Sequence, residues 1–161
     1  MLPYLGGERT PNLPDATGSL LDLVEGAATP ELVLRAAVDG VAAGLAYCQD
    51  ALNELGVRKR QVTLVGGGAS HPTWQQAIAD ATGLPLTVRA GGEHAARGSA
   101  IQAAAIALGE PVEALAGRWR PDVVAEVTPR PEHHAAFRLD ERRRMIDGLF
   151  ASRRSDSLVI M

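Results

Sequence analysis

An α/β fold is predicted by three signals that follow one another in the middle of the chain. Val62, Leu64 and Val65 form a short apolar run that reads as a buried strand, and it leads straight into three glycines. Ser70-His71-Pro72 then supplies a cap and a first-turn proline for a helix over Pro72 to about Thr82, with Trp74, Ile78 and Ala81 inward and Gly83 as its stop. Leu84 to Val88 reads as a second strand, with Pro85 tolerable at its beginning, and Glu93-His94 opens an alanine-rich helix to Leu108, closed by Gly109 and Pro111. Strand, helix, strand and helix in succession make an α/β unit with a right-handed crossover.

The candidate site lies at the first junction, Gly66, Gly67, Gly68, Ala69 and Ser70. Glycines let the backbone turn with positive φ and come within contact distance of a ligand. The following helix points its free N–H groups at the same gap, which favours an anion such as a phosphate. The segment lacks the Walker lysine and the GxGxxG spacing, so ordinary turn chemistry and a nucleotide cradle both stay open on these residues alone.

The other elements follow in chain order. Residues Met1 to Pro11 begin apolar and run into Gly6-Gly7, as though a strand lay upstream. Residues 6–28 have no sustained periodicity and are expected to be a long loop, in which Glu8-Arg9 reads as a local pair. Thr29-Pro30-Glu31 starts a long helix ended by Gly56, with Leu34, Val38, Val41, Leu45, Cys48, Leu52 and Leu55 as its predicted inward stripe. Ala37, Gly44 and Ala51 flank that stripe and allow a close neighbour. Ala96, Ala100, Ala103, Ala104 and Ala107 predict an equally close approach for the alanine-rich helix. Arg118-Trp119-Arg120-Pro121 reads as a turn or short apolar anchor, and Val123 to Val127 as one more strand. A final amphipathic helix from Pro131 should bury Phe137, Met145, Leu149 and Phe150. His133-His134 is expected on the surface, and residues 151–161 as a disordered or loosely packed tail after a single domain over residues 1–150.

The composition narrows the class. A chain of 161 residues, 46% hydrophobic and 22% charged, suits one globular domain. A net charge of -3 argues against nucleic acid or an anionic membrane as partner, and Arg142-Arg143-Arg144 reads as a solvated helix face. The one cysteine, Cys48, reads as a small core residue. No apolar run approaches the roughly 20 residues that span a bilayer, so a soluble, cytoplasmic chain is expected. Asp15, Asp22, Asp39 and Asp80 are scattered, without a catalytic pairing. Ser70 lacks the GxSxG frame of a nucleophile, so no catalytic residue and no metal site is assigned.

Four segments taken together carry a family resemblance: PYLGGERTP at residues 3–11, RAAVDGVAAGL at 35–45, VGGGASHPTWQQAIADATGLPL at 65–86 and EHAARGSAIQAA at 93–104. They resemble the C-terminal part of the xylulokinases within the FGGY family of carbohydrate kinases, and RPEHHAAF at 130–137 is similar to that family's closing helix. The resemblance implies a partial actin-like, ribonuclease H-like ATPase domain, the C-terminal portion of the ATP-binding domain of a sugar kinase. It implies ATP or ADP as ligand, with Gly66, Gly67, Gly68 and Ala69 against the adenosine and α-phosphate and Ser70 at the adjoining helix start. It also implies Mg2+ in the intact enzyme, with no ligand for it identified in this chain, and a role in xylose metabolism. Asp22 departs from a usual glycine and Gly6 from a common serine. The family's sugar site, catalytic aspartate and phosphate-binding hairpin have no counterpart in these residues. The chain is therefore expected to supply the adenosine side of an ATP cleft, with the missing N-terminal kinase domain or another copy of itself as partner. The alternative reading is a non-catalytic, self-associating domain. A dinucleotide-binding unit fits less well, because Arg89-Ala90 stands where an acid would hold the ribose.

Overall fold

The computed structural model describes residues 1–154, with side chains through residue 151, so most of the predicted 151–161 tail lies outside the described residues. Helix α1 (Pro30–Glu54) begins as its sequence dictates: the Thr29 hydroxyl accepts the Leu32 N–H at 3.4 Å, Pro30 opens the helix and Glu31 follows in the first turn. Strand β1 (Val62–Leu64) leads through a 3-10 turn (Gly67–Ser70) into α2 (Pro72–Thr82), and β2 (Leu86–Arg89) returns parallel to β1, with Val62 opposite Leu86 and Leu64 opposite Val88. Helices α3 (His94–Leu108) and α4 (Val112–Arg118) precede β3 (Val123–Val127), which runs antiparallel to β2 and completes a sheet ordered β1-β2-β3. Left-handed Gly83 (φ 66°) and Gly109 (φ 65°) terminate α2 and α3. The chain ends in α5 (Pro131–Ala136) and α6 (Leu139–Arg154).

The main core lies between one face of the sheet and the α1–α2 pair. Leu86 and Val88 are buried there, and Val62, Leu64, Ala125 and Val127 pack beside them. Strand alternation places Thr63, Thr87, Val124 and Glu126 on the opposite face. Helix α2 is enclosed on nearly every side, with Gln75 and every residue from Ala77 to Thr82 buried. Ala42, Ala43 and Ala46 of α1 enter the same core, where their small side chains let the two helices lie close together.

Several expectations are corrected. The predicted inward stripe of α1 faces outward: Leu34, Val41, Leu45, Leu52 and Leu55 are exposed, Val38 and Cys48 half-buried, and the buried face is Gly40, Ala42, Ala43 and Ala46. Alanine burial costs no rotamer entropy, and that close contact outweighs the larger hydrophobes. The alanines of α3 also stay open. Ile101 and Ala105 meet Leu115 of the unforeseen α4, while Ala96, Ala100, Ala103 and Ala107 are exposed. The final helix is two helices, because Arg138 adopts a left-handed φ of 48° between them. Phe137, Ile146 and Phe150 are buried and Leu149 is exposed, and α6 continues past residue 150 to Arg154.

Residues 6–28 form the predicted loop, held by paired backbone bonds between Leu2 and Ser19 and between Glu8 and Leu13. Leu2, Tyr4, Leu13 and Ala16 bury against Ile146 and Phe150 in a second core. The Glu8 carboxylate accepts the N–H groups of Arg9 (2.7 Å) and Thr10 (3.0 Å), so it fixes the loop through backbone donors and not through the Arg9 guanidinium. The Arg142–Arg144 run is no uniformly solvated face. Arg142 donates to the Met1 carbonyl at 2.9 Å, and Arg143 pairs with Asp50 and lies over the Tyr47 ring.

Asp80, read from sequence as one of several scattered acids, is a fully buried carboxylate at the centre of a network. It accepts the Arg130 N–H at 2.8 Å, the Arg130 guanidinium at 2.6 Å and the Gln76 amide at 2.8 Å. His134 Nδ1 lies 2.8 Å from the Asp80 carbonyl and so joins α5 to α2, whereas His133, 3.8 Å from the carboxylate, keeps 42% of its side chain exposed. Burial pushes the Asp80 carboxyl up, but the Arg130 and Gln76 hydrogen bonds together outweigh it and hold the group below the usual carboxylate range. A carboxyl with a depressed folded pKa stabilises the fold fully above its unfolded value of about 3.9, and that contribution is lost as pH falls through the folded value. Asp80→Asn should lower the denaturant midpoint at neutral pH by the equivalent of about 2 kcal/mol, and the gap from the parent should narrow in acid. Urea titrations at pH 7 and pH 3 measure both.

Candidate functional site

The glycine turn is built from both of its ends. Strand β1 delivers the chain to Gly66, whose φ of 95° and ψ of -179° lie in a region open essentially to glycine alone. The next residues wind into the 3-10 turn, closed by the Ala69 N–H donating to the Gly66 carbonyl at 3.0 Å. From the far side, buried Gln75 on α2 donates its amide to the Ala69 carbonyl at 2.7 Å, which locks the turn onto the helix that follows.

The five predicted residues therefore separate into two groups. Gly66, Gly67 and Gly68 present open backbone: a Cβ on Gly66 or Gly67 would meet nothing within 4 Å, and one on Gly68 would meet only the Trp74 ring, at 3.7 Å. Ala69 turns its side chain into the core and spends its N–H inside the turn. Ser70 is not the helix cap expected of it. Its hydroxyl donates to the Gly67 carbonyl at 3.2 Å, and His71 occupies the cap position with no side-chain bond. The N–H groups of Gly67 and Gly68 precede the first internal bond of the 3-10 turn, and that of Thr73 precedes the first bond of α2. All three residues are exposed, and an open N–H at a helix start suits an anion.

Beside the turn runs a feature the sequence did not disclose, a groove of about 450 Å³ lined by Leu34, Arg35 and Val38 of α1 and by His71, Thr73 and Trp74. The α1 members sit some thirty positions upstream, and no local pattern links them to the glycines. The groove has apolar walls with a guanidinium and an imidazole at hand, and Arg35 is tied to Asp39 at 2.9 Å. No carboxylate lines it. Among the described residues no three His, Cys, Asp or Glu side chains converge as a metal site, and the groove offers Mg2+ no carboxylate, so its lining does not fit that ion.

Residues 1–107 match the model for the FGGY family of carbohydrate kinases, C-terminal domain. The chain belongs to this family. It is 38% identical over 120 residues to a xylulose kinase of Streptomyces coelicolor, a match covering 74% of this chain and 25% of that protein. A xylulose kinase of Escherichia coli is 43% identical over 93 residues, or 57% of this chain and 19% of the other. A solved xylulose kinase from Brucella ovis superposes with a TM-score of 0.80 at 29% identity, covering 96% of this chain and 31% of that one. The fold is thus a C-terminal part of the actin-like ATPase fold of FGGY sugar kinases. The chain spans between a fifth and a third of the length of these relatives. No helix among the described residues is long and apolar enough to cross a membrane.

The turn's geometry separates its glycines. Gly66→Ala should cost about 1–3 kcal/mol of stability through its Gly-only conformation. Gly67→Ala should be neutral or slightly stabilising, since its space is open. Thermal melts of the two variants check this ordering.

Proposed function

We propose that this chain is the C-terminal portion of a xylulose-phosphorylating carbohydrate kinase and contributes the adenosine side of its ATP cleft. The observation that carries the reading is the open backbone of the glycine turn, whose Gly68 lies against the same Trp74 ring that lines the apolar groove with Leu34, Val38 and Thr73. Phosphate oxygens would accept from the turn, and a purine would lie flat in the groove, with Gly66 and the Gln75 clamp holding the two at fixed spacing. The resemblance to xylulose kinases over most of the chain supports the substrate class. Phosphoryl transfer also needs a base for the acceptor hydroxyl and a sugar pocket. We assign both, with any Mg2+ ligands, to sequence outside these 161 residues, which makes the remainder of such a kinase the functional partner and cytoplasmic sugar metabolism the setting.

Loss of general base catalysis alone is worth on the order of 10² to 10⁴ in rate, and substrate positioning adds to it. The pure chain should show no ATP- and xylulose-dependent ADP release in a coupled assay, and clear turnover would contradict the assignment of the base elsewhere. Calorimetric titration with ATP should show binding that Gly67→Val weakens at least about tenfold, which corresponds to about 1.4 kcal/mol. The Gly67→Val far-UV spectrum should be unchanged. Equal affinity in the two proteins would remove the nucleotide from this turn.

A further inference from the structure

A second cleft, of about 450 Å³, opens where α3, the end of α4 and the approach to β3 meet the residues that follow β2. Arg97 of α3, Arg118 at the end of α4 and Arg120 in the link to β3 line it together with the Trp119 ring. Two arginines here are held by backbone carbonyls, which orient a guanidinium without cancelling its charge. Arg97 donates to the Trp119 carbonyl at 3.1 Å, and Arg89 donates to the Pro121 carbonyl at 2.7 Å. Gly91, with a φ of 91°, leaves the room that the Arg97 side chain takes, since a Cβ there would stand 3.0 Å from its terminal nitrogen. Arg118 is paired with Glu110 at 2.8 Å, whereas the Arg120 guanidinium has no partner among the described residues. In a chain whose net charge is -3, this is a local concentration of positive charge.

We propose that this cleft is a second binding site, and that its ligand is a phosphorylated sugar. The arginines suit a phosphate monoester, whose oxygens accept paired N–H donors from guanidinium groups. A bare anion would leave two features of the cleft idle. Asp122 lines it with a carboxylate that has no partner among the described residues; this group repels a lone phosphate but accepts hydrogen bonds from sugar hydroxyls. Trp119, 42% exposed, offers an apolar ring face to the C–H groups beside those hydroxyls. A nucleotide suits the cleft less, because its base would find one ring and no opposing apolar wall such as Leu34 and Val38 provide beside the glycine turn. The proposal stands on residues outside that turn and its groove, so it does not rest on the nucleotide reading.

Calorimetric titration of the full chain with ribose-5-phosphate, ribose and inorganic phosphate tests it, while amide and indole resonances report where each binds. The sugar phosphate should bind with a Kd of about 1 mM or tighter, and ribose and inorganic phosphate at least about tenfold more weakly. With the sugar phosphate, the Trp119 indole N–H and the Gly91 amide should shift further than the amides of Gly66 to Gly68. Arg120→Ala removes no side-chain bond within the described residues, so it should keep the parent's melting temperature and weaken the sugar phosphate at least about tenfold. Asp122→Asn should also weaken the sugar phosphate, and should leave inorganic phosphate bound equally or more tightly. Arg58→Ala, at an exposed arginine that precedes β1, should change neither. The proposal is overturned if inorganic phosphate binds as tightly as the sugar phosphate, if the larger shifts fall on the glycine turn, or if nothing binds at about 10 mM. Undiminished affinity in Arg120→Ala, or an equal loss in Arg58→Ala, overturns it as well.

Discussion

The packing of α2 into its surroundings is the constraint on which the rest of the molecule depends. Ala77, Ala79 and Ala81 are buried on more than one side of the helix and are small enough for its neighbours to close over it, and Ile78 is buried in the same core as Leu86 and Val88 of β2. A helix so enclosed must dispose of every polar group it carries. Thr82 returns its hydroxyl to the Ile78 carbonyl at 2.8 Å, Gln75 reaches back to Ala69, and Asp80 is neutralised by Arg130. Each of those bonds fixes a different neighbour. The Gln75 amide sets the glycine turn, the Asp80 network docks α5, and Gln76 reaches the Thr128 carbonyl at 3.1 Å beyond β3. The orientation of the open turn at the start of α2 follows from these anchors.

What the sequence made legible are the features set by local chemistry. The start and stop of α2, the left-handed glycines after α2 and α3, the Thr29 cap and the parallel β1–β2 pair all follow from capping, glycine conformation and apolar runs over a few residues. The buried face of α1 is hidden from periodicity, which ranks leucine above alanine, whereas close helix contact favours the reverse. The break between α5 and α6 carries no proline or glycine at Phe137-Arg138, and α4 is too short for its period to show. Asp80 looked idle because its partner Arg130 lies fifty positions on. The groove escaped notice for the same reason: Leu34 and Val38 meet Trp74 only after α1 and α2 have packed.

The chain therefore separates its labours along α1. The N-terminal end of that helix lines the groove beside the glycines, its alanine face builds the core, and Val41, Leu45 and Leu52 on a third side stay exposed. Residues of one helix can serve three surfaces because the side chains on each are differently sized and lie at different angles around the axis. Family membership adds the context for our proposal that the open turn and the apolar groove together form a nucleotide seat.

Backbone resonances report that seat most directly. In a titration of the isotopically labelled chain with ADP, the largest amide shifts should fall on Gly66 to Gly68 and Thr73, accompanied by the Trp74 indole N–H. Shifts gathered elsewhere, such as the cleft between Arg97 and Arg120, or none at millimolar ADP, would contradict it.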